Sequence, residues 1–407
     1  EQGEPFDEEV ACTYLSSLLG RTFEETVAAA HRFDQTPRVN SLFHIVYWLG
    51  KLSIEEELEQ NDREISFSTA LREKIGHHIY GESWALAIKT FLHKKGWLKR
   101  PIHIISSNPH SVMNSLYAYA ALREISTSDT LEGIARELSH EQNHEWRHLV
   151  EQQARENGMF QLDDTSGTNI MVQIFDATQI KPDSLPPEIQ WDADFIKKEK
   201  PILLVMDYAF GEQGFEVMDE LLKPFELLPP ATEDEPAPKP EKIPLWVESI
   251  SIMGKAGILE GGKGDIMVPT AHVFEGTADN YPVENEFSKA DFEGNGLRVN
   301  EGTMITVLGT SLQNEDILRY FVKSSWRAVG LEMEGAHYIK AIQAASKIRK
   351  SISENVKLRC AYYASDNPLL TGHTLASGSL GEEGVKPTYL ITVKILNAIG
   401  RRGEVPA

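Results

Sequence analysis

"PILLVMDYAFGEQGFEVMDELL", residues 201–222, decides the fold class. Ile202 to Met206 form an unbroken apolar run of strand length, the pattern of a strand buried on both faces. Gly211 marks a turn. Beyond it Phe215, Met218, Leu221 and Leu222 recur at helical spacing, so the stretch reads strand, loop, helix. The same pattern returns downstream. "WVESISIMGKAGIL" (246–259), "GDIMVPTAHVF" (264–274), "GTMITVLGTS" (302–311), "WRAVGLEME" (326–334) and "LRCAYYASDNP" (358–368) are apolar runs ending in small or polar residues, with helices between them. That alternation predicts an α/β sheet with its loops gathered at strand ends.

Upstream the chain reads differently. Residues 7–100 are mostly helical in pattern, with acidic first turns in "FDEEVACTYLSSLLG" (6–20) and "TFEETVAAAHRF" (22–33). "PIHIIS" (101–106) is a short buried-type strand, and Ser107-Asn108-Pro109 starts a helix with Pro in its first turn. The expected division is a mainly helical N-terminal region of unassigned role, 1–165, and an α/β domain, 166–407. "LLPPATEDEPAPKPEKIP" (227–244) is Pro- and acid-rich and is expected as an exposed flexible loop.

The chain has 407 residues, 41% apolar and 25% charged, with a net charge of −21. That balance excludes a nucleic-acid backbone or an anionic membrane as the main partner. A small anionic ligand remains open, because a local pocket can be basic on an acidic protein. Cys12 and Cys360 stand in unrelated contexts, so neither a disulfide framework nor a Cys-based zinc site is expected. With no eighteen-residue apolar stretch and an acidic start, "EQGEPFDEEV", the expectation is a cytoplasmic protein without a membrane span. "HEQNH" (140–144) formally fits a zinc-binding H-E-x-x-H, but its surroundings are polar all round, the pattern of a solvated helix surface.

Three stretches carry chemistry. In "MGKAGILEGGKGDIMVP" (253–269), Met253-Gly254 ends a strand and Lys255-Ala256-Gly257 is expected as a small-residue turn open to close ligand approach. Glycines serving geometry alone are the competing reading. "GLEMEGAHYIKA" (330–341) sets Glu332 and Glu334 at the mouth of an apolar helix, as helix caps or as a ligand site. In "YYASDNP" (362–368), Ser365-Asp366 is an Asx-type turn before Pro368 or a site.

Together, in this order, the three stretches resemble the purine nucleoside phosphorylase and nucleosidase superfamily over roughly residues 200–400. The resemblance implies a three-layer α/β/α fold about a central twisted mixed sheet, beside the mainly helical N-terminal region. AMP nucleosidases also add an N-terminal domain to such a core. By resemblance Glu334 bonds the ribose hydroxyls, Met333 packs on the sugar and Glu332 supports them. Asp366, after Ser365, faces purine N7. Gly254, Lys255, Ala256 and Gly257 form the glycine turn, and Ser311, Leu312 and Gln313 lie in the loop covering the base. That loop lacks the aromatic ring the family often has, and Phe210, Tyr281 and Tyr363 are alternatives.

The phosphate-binding arginines of the phosphorylases are missing. Nucleosidases instead activate water with a glutamate, for which Glu212 is the best match and Glu216 the second. The implied activity is therefore hydrolysis of the N-glycosidic bond of a purine nucleoside or nucleotide. It would release free base and ribose or ribose phosphate, without a cofactor or metal. The implied assembly is a homo-oligomer. The alternatives are a phosphorylase holding phosphate through Lys255 and a second basic residue, and a non-catalytic nucleoside or nucleotide binder. The turns "SSNPHS" (106–111) and "DDTSGTN" (163–169) are further candidates for a 5′-phosphate, or caps.

Overall fold

The computed structural model describes residues 7–34, 41–59, 77–227, 239–275, 277, 279–308, 315–371 and 381–401. Its strands are β1 (Ile102–Ser106), β2 (Met159–Leu162), β3 (Val172–Asp176), β4 (Ile202–Met206), β5 (Phe225–Leu227), β6 (Glu241–Ile243), β7 (Val247–Ile258), β8 (Ile266–Phe274), β9 (Asn280–Pro282), β10 (Val299–Thr306), β11 (Ala328–Glu332) and β12 (Lys357–Asp366). Its α-helices are α1 (Glu8–Leu19), α2 (Phe23–Asp34), α3 (Leu42–Glu59), α4 (His77–Lys94), α5 (Pro109–Ala121), α6 (Leu131–Ser139), α7 (His144–Glu156), α8 (Ala193–Glu199), α9 (Gln213–Leu221), α10 (Glu315–Lys323), α11 (Gly335–Gln343), α12 (Pro368–Thr371) and α13 (Val385–Ile399).

The decisive strand β4 shows why the sheet is covered on both faces. Successive side chains leave a strand on opposite sides. Ile202, Leu204 and Met206 join one apolar cluster with α4, α9 and α11, through Ile88, Met218 and Ile342 among others. Leu203 and Val205 join a second cluster with α5, α6 and α13, through Leu116, Ile134 and Ile395. Burying one such side chain stabilises the fold by about 1.5–3 kcal/mol. The result is the expected three-layer arrangement with a mixed central sheet. Its strand order is β11-β10-β8-β12-β7-β1-β4-β3-β2. β1 runs parallel to β4 and β7, whereas β2 and β3 are antiparallel additions at one edge. The sheet thus draws β1 and β2 from residues ahead of 166.

At the other edge the sheet curls on itself. β11 pairs with β10 and, antiparallel, with β7 through Gly330–Ile258 and Leu331–Gly257. β7, β12, β8, β10 and β11 therefore form a closed ring of strands. Gly330 permits the crossing, because a Cβ there would meet Met267 Sδ and sit 2.8 Å from Gly257 O.

Some expectations change. β7 runs unbroken through Lys255-Ala256-Gly257, so no turn forms there. Pairing with β12 on one side, and with β1 and then β11 on the other, carries the strand on. The Pro-rich stretch is not loop throughout: Leu227 and Glu241–Ile243 at its ends pair as β5 and β6, and residues 228–238 lie outside the described residues. "HEQNH" is not one helix, since Glu141–Asn143 form a 3-10 turn before α7 starts at His144. Cys12 and Cys360 are separate buried thiols. Among the described residues no helix is long and apolar enough to cross a membrane.

The N-terminal region is helical, and α1, α2 and α3 share a small core of Cys12, Leu15, Ala30 and Leu42. Gly20 ends α1 in the left-handed conformation, φ 61°. A reciprocal pair of hydrogen bonds, Thr22 N–H to Glu25 Oε2 at 3.1 Å and Glu25 N–H to Thr22 Oγ1 at 3.2 Å, then starts α2. The α1–α2 turn is thus fixed from both sides.

Candidate active site

A cavity of about 500 Å³ opens at the C-terminal ends of the parallel strands, where ligands of open α/β sheets gather. Asn108 after β1 lines it, as do Asp207, Tyr208, Ala209 and Phe210 after β4. Met253 to Ala256 of β7 and Tyr363 and Ser365 of β12 add further wall. Leu331 to Glu334 close that side at the end of β11. Gly20 to Glu24 of the α1–α2 turn, and Val385, Thr388 and Tyr389 at the start of α13, also line it.

Glu332 and Glu334 divide their labour. Glu332 is the helix cap: its Oε2 accepts the N–H of Glu334 at 2.6 Å and the N–H of Gly335. Its Oε1 accepts from Thr306 Oγ1 and lies 3.1 Å from His272 Nδ1. Thr306 Oγ1 in turn accepts the Ala336 N–H at 3.0 Å. Burial pushes the Glu332 carboxyl up, but the His272, Thr306 and Gly335 bonds outweigh it and hold the group below its ordinary value. Gly335 is required beneath this network, because a Cβ there would strike the His272 ring.

Glu334 occupies the N-cap position of α11 without capping it through its side chain. The carboxylate accepts the Gly211 N–H on Oε1 at 3.1 Å and the Met333 N–H on Oε2 at 3.2 Å. Burial first, and the Glu332 charge second, push its carboxyl up to about 8. Two weak amide bonds leave it lone pairs to spare.

The glycine at 254 also has a protein partner. A Cβ there would lie 2.7 Å from the Tyr208 ring, so the close approach expected of a ligand is made by a tyrosine. Lys255 and Ala256 still line the cavity, while Gly257 lies one step on, paired with Leu331 and Asp366. Asp265 is structural: it accepts the Gly262 N–H at 2.8 Å and the Arg298 N–H at 3.1 Å.

On β12, Ser365 reaches the cavity, and its hydroxyl donates to Asp366 Oδ1 at 2.5 Å. Asp366 is buried and is not among the lining residues. Glu212 is exposed just ahead of α9 and does not line the cavity, and Glu216 is buried inside that helix. Asp207 does line it, with burial pushing its carboxyl up. Sequence reasoning passed over Asp207, although an acid directly after an apolar strand end was the available signal. Of the three candidate rings, Phe210 and Tyr363 line the cavity; Tyr281 packs instead on Phe274, centroids 5.9 Å apart. Ser311, Leu312 and Gln313 lie outside the described residues.

The two phosphate-turn candidates separate. In "DDTSGTN" the amides of Ser166, Gly167 and Asn169 already donate to Asp164, which leaves those donors no anion to bind. Asn108 caps α5 by accepting the His110 N–H at 2.9 Å and faces the cavity.

No curated protein matches the chain in sequence. Among solved structures, it is similar to 5′-methylthioadenosine/S-adenosylhomocysteine nucleosidase from Helicobacter pylori, with TM-score 0.41, 10% identity, and 74% of this chain and 98% of that one covered. Futalosine hydrolase of the same organism gives TM-score 0.40 and 11% identity, covering 74% and 98%. The Streptococcus pneumoniae MTA/SAH nucleosidase bound to 8-aminoadenine gives 0.40 and 11%, covering 73% and 99%. A family model described as a family of unknown function, DUF6909, matches residues 134–229 and 241–401, more than half of the chain, and the chain belongs to that family.

Proposed function

We propose that the chain hydrolyses the N-glycosidic bond of a purine nucleoside or nucleotide. One observation carries the reading. Lys255-Ala256, Met333-Glu334 and Ser365 come from three distant sequence motifs and line one cavity. Glu334 is the ribose clamp. Burial and the Glu332 charge push its carboxyl up to about 8, so that it holds its proton at neutral pH. Ribose hydroxyls donate to the ionised form, so binding favours loss of that proton and fixes the sugar. Met333 gives the sugar a soft wall without competing hydrogen bonds. Glu332, tied to His272 and Thr306, holds both amides of the Glu334 turn and so sets the clamp's position.

Asp366 assists departure of the purine from the end of β12, where a buried carboxyl is suited to donate to the base. Asp207 is the base for water in this account, because it is the acid of its loop that reaches the cavity. The atoms balance: water adds to C1′ and keeps one proton as the new hydroxyl, its other proton passes to Asp207, Asp366 gives a proton to the departing purine, and the C1′–N bond breaks.

Chromatographic detection of free base tests the reading. AMP, adenosine, inosine, guanosine and methylthioadenosine are each incubated with the chain, with and without phosphate. Base release independent of phosphate is expected. Release only with phosphate would favour phosphorolysis, for which Lys255 in the cavity wall is the supporting observation. Tight binding without release would favour a non-catalytic binder. Asp366→Asn should lower turnover far more than binding, and an unchanged rate would remove Asp366 from the mechanism.

A further inference from the structure

We infer that the α1–α2 turn is part of the substrate site and that Arg21 selects substrates carrying an oxyanion, a phosphate or carboxylate group. This rests on the hydrolase reading for the identity of the rest of the substrate, and not for the anion itself.

The turn supplies part of the cavity wall, from Gly20 to Glu24. It is built rather than draped. Gly20 is fixed in the left-handed region, the Arg21 N–H donates to Ser16 O at 3.0 Å, and the Thr22–Glu25 pair locks the next residue. The turn also meets the core: a Cβ on Gly20 would lie 3.7 Å from the Phe210 ring, in ordinary contact with the loop after β4.

Two cations line this cavity, Arg21 from the turn and Lys255 from β7. Among the described residues neither is held in an ion pair. Four acids line the cavity, Glu24, Asp207, Glu332 and Glu334, and none of them forms an ion pair with Arg21 or Lys255; Glu332 is bound by His272 and Thr306, and Asp207 accepts the Tyr208 N–H. An exposed guanidinium without a carboxylate partner, on a rigid turn, on a chain of net charge −21, is a fitted receptor for an incoming anion. Lys255 adds a second, more mobile charge on the sheet side.

The cavity wall therefore carries two kinds of group, Met333-Glu334 from the end of β11 and Arg21 from the α1–α2 turn. A nucleoside alone would engage the first. A substituent such as a 5′-phosphate would use the second, as would free phosphate acting as co-substrate.

The test uses the full chain and ligands that undergo no turnover. Ribose 5-phosphate, ribose and inorganic phosphate are titrated by calorimetry into wild type, Arg21→Ala and Arg21→Lys. Ribose 5-phosphate is expected to bind at least about tenfold tighter than ribose, the scale of a charge-assisted hydrogen bond. Arg21→Ala should remove most of that advantage and Arg21→Lys part of it. Equal binding of the two sugars by wild type, or equal losses for both in Arg21→Ala, would overturn the inference. Base release from AMP and adenosine is measured alongside. An AMP preference that Arg21→Ala abolishes without added phosphate assigns the anion to the substrate. Arg21-dependent binding of phosphate, with release that requires it, assigns the anion to a co-substrate. Arg21-dependent sugar-phosphate binding with no base release from any nucleoside would sink the hydrolase reading and leave the anion site standing. Phosphate-independent release with equal efficiency on AMP and adenosine, together with equal binding of ribose and ribose 5-phosphate, would sink the anion site and leave the hydrolase reading standing.

Discussion

Glu332 and Glu334 leave the same strand end two residues apart, are equally hidden from water, and meet opposite surroundings. Glu332 receives a hydroxyl, two amides and a histidine, and its carboxyl is held below the ordinary value. Glu334 receives two amides and faces the Glu332 charge, and its carboxyl rises to about 8. Burial is therefore not what distinguishes a structural carboxylate from one available to a ligand. The difference is whether the protein has used up its hydrogen-bonding capacity.

The comparison breaks most severely if Glu332 is replaced. Glu332→Ala removes the acceptor of four protein groups, and unfolding in urea should show a loss of about 3–5 kcal/mol, the range for breaking a buried charged network. A loss below about 1 kcal/mol would mean that Glu332 is no more structural than its neighbour. Thr306→Val should cost less, about 1.5–3 kcal/mol, by removing one donor to the carboxylate and leaving the Ala336 amide unpaired. The same measurement checks it.

The smallest effect sharpens the other half of the comparison. Glu334→Gln keeps one acceptor oxygen where the carboxyl offers two, so one of the Gly211 and Met333 amides loses its partner and stability at low pH should fall by about 1 kcal/mol. Its signature lies in the pH dependence. Below 4.5 both folded and unfolded chains hold the Glu334 proton. Between 4.5 and about 8 the unfolded chain has released it and the folded chain has not, so this residue makes stability fall as pH rises, levelling above about 8. Glu334→Gln should flatten that part of the wild-type slope. Identical slopes in urea midpoints across the window would show that Glu334 is already ionised in the folded chain.

Much of this was legible in the sequence. β4 was bounded by its apolar run, and Asn108-Pro109 marked the start of α5 because a cap and a first-turn Pro are local signals. The ordered motifs of β7, β11 and β12 pointed to one site for the same reason: each is a strand end. What escaped was non-local. Lys255-Ala256-Gly257 looked like a turn because small residues suit turns, yet they lie in a strand so that Tyr208 and β11 can approach. Glu212 looked closer to the chemistry than Asp207 because a family pattern drew attention to it, whereas reach into the cavity depends on where the loop turns. Arg21 carried no signal at all. Its relevance comes from the packing of a helical turn against residues nearly two hundred positions away, such as Phe210.

The most direct test of the account is base release by wild type and Glu334→Gln, followed chromatographically on the preferred purine nucleoside or nucleotide at saturating and limiting concentrations. The account predicts that Glu334→Gln lowers kcat/KM by about a hundredfold or more, the scale of losing a positioned charged group that acts in the transition state, while the chain stays folded. A Glu334→Gln chain that releases base at the wild-type rate would contradict the ribose clamp and the reading built on it.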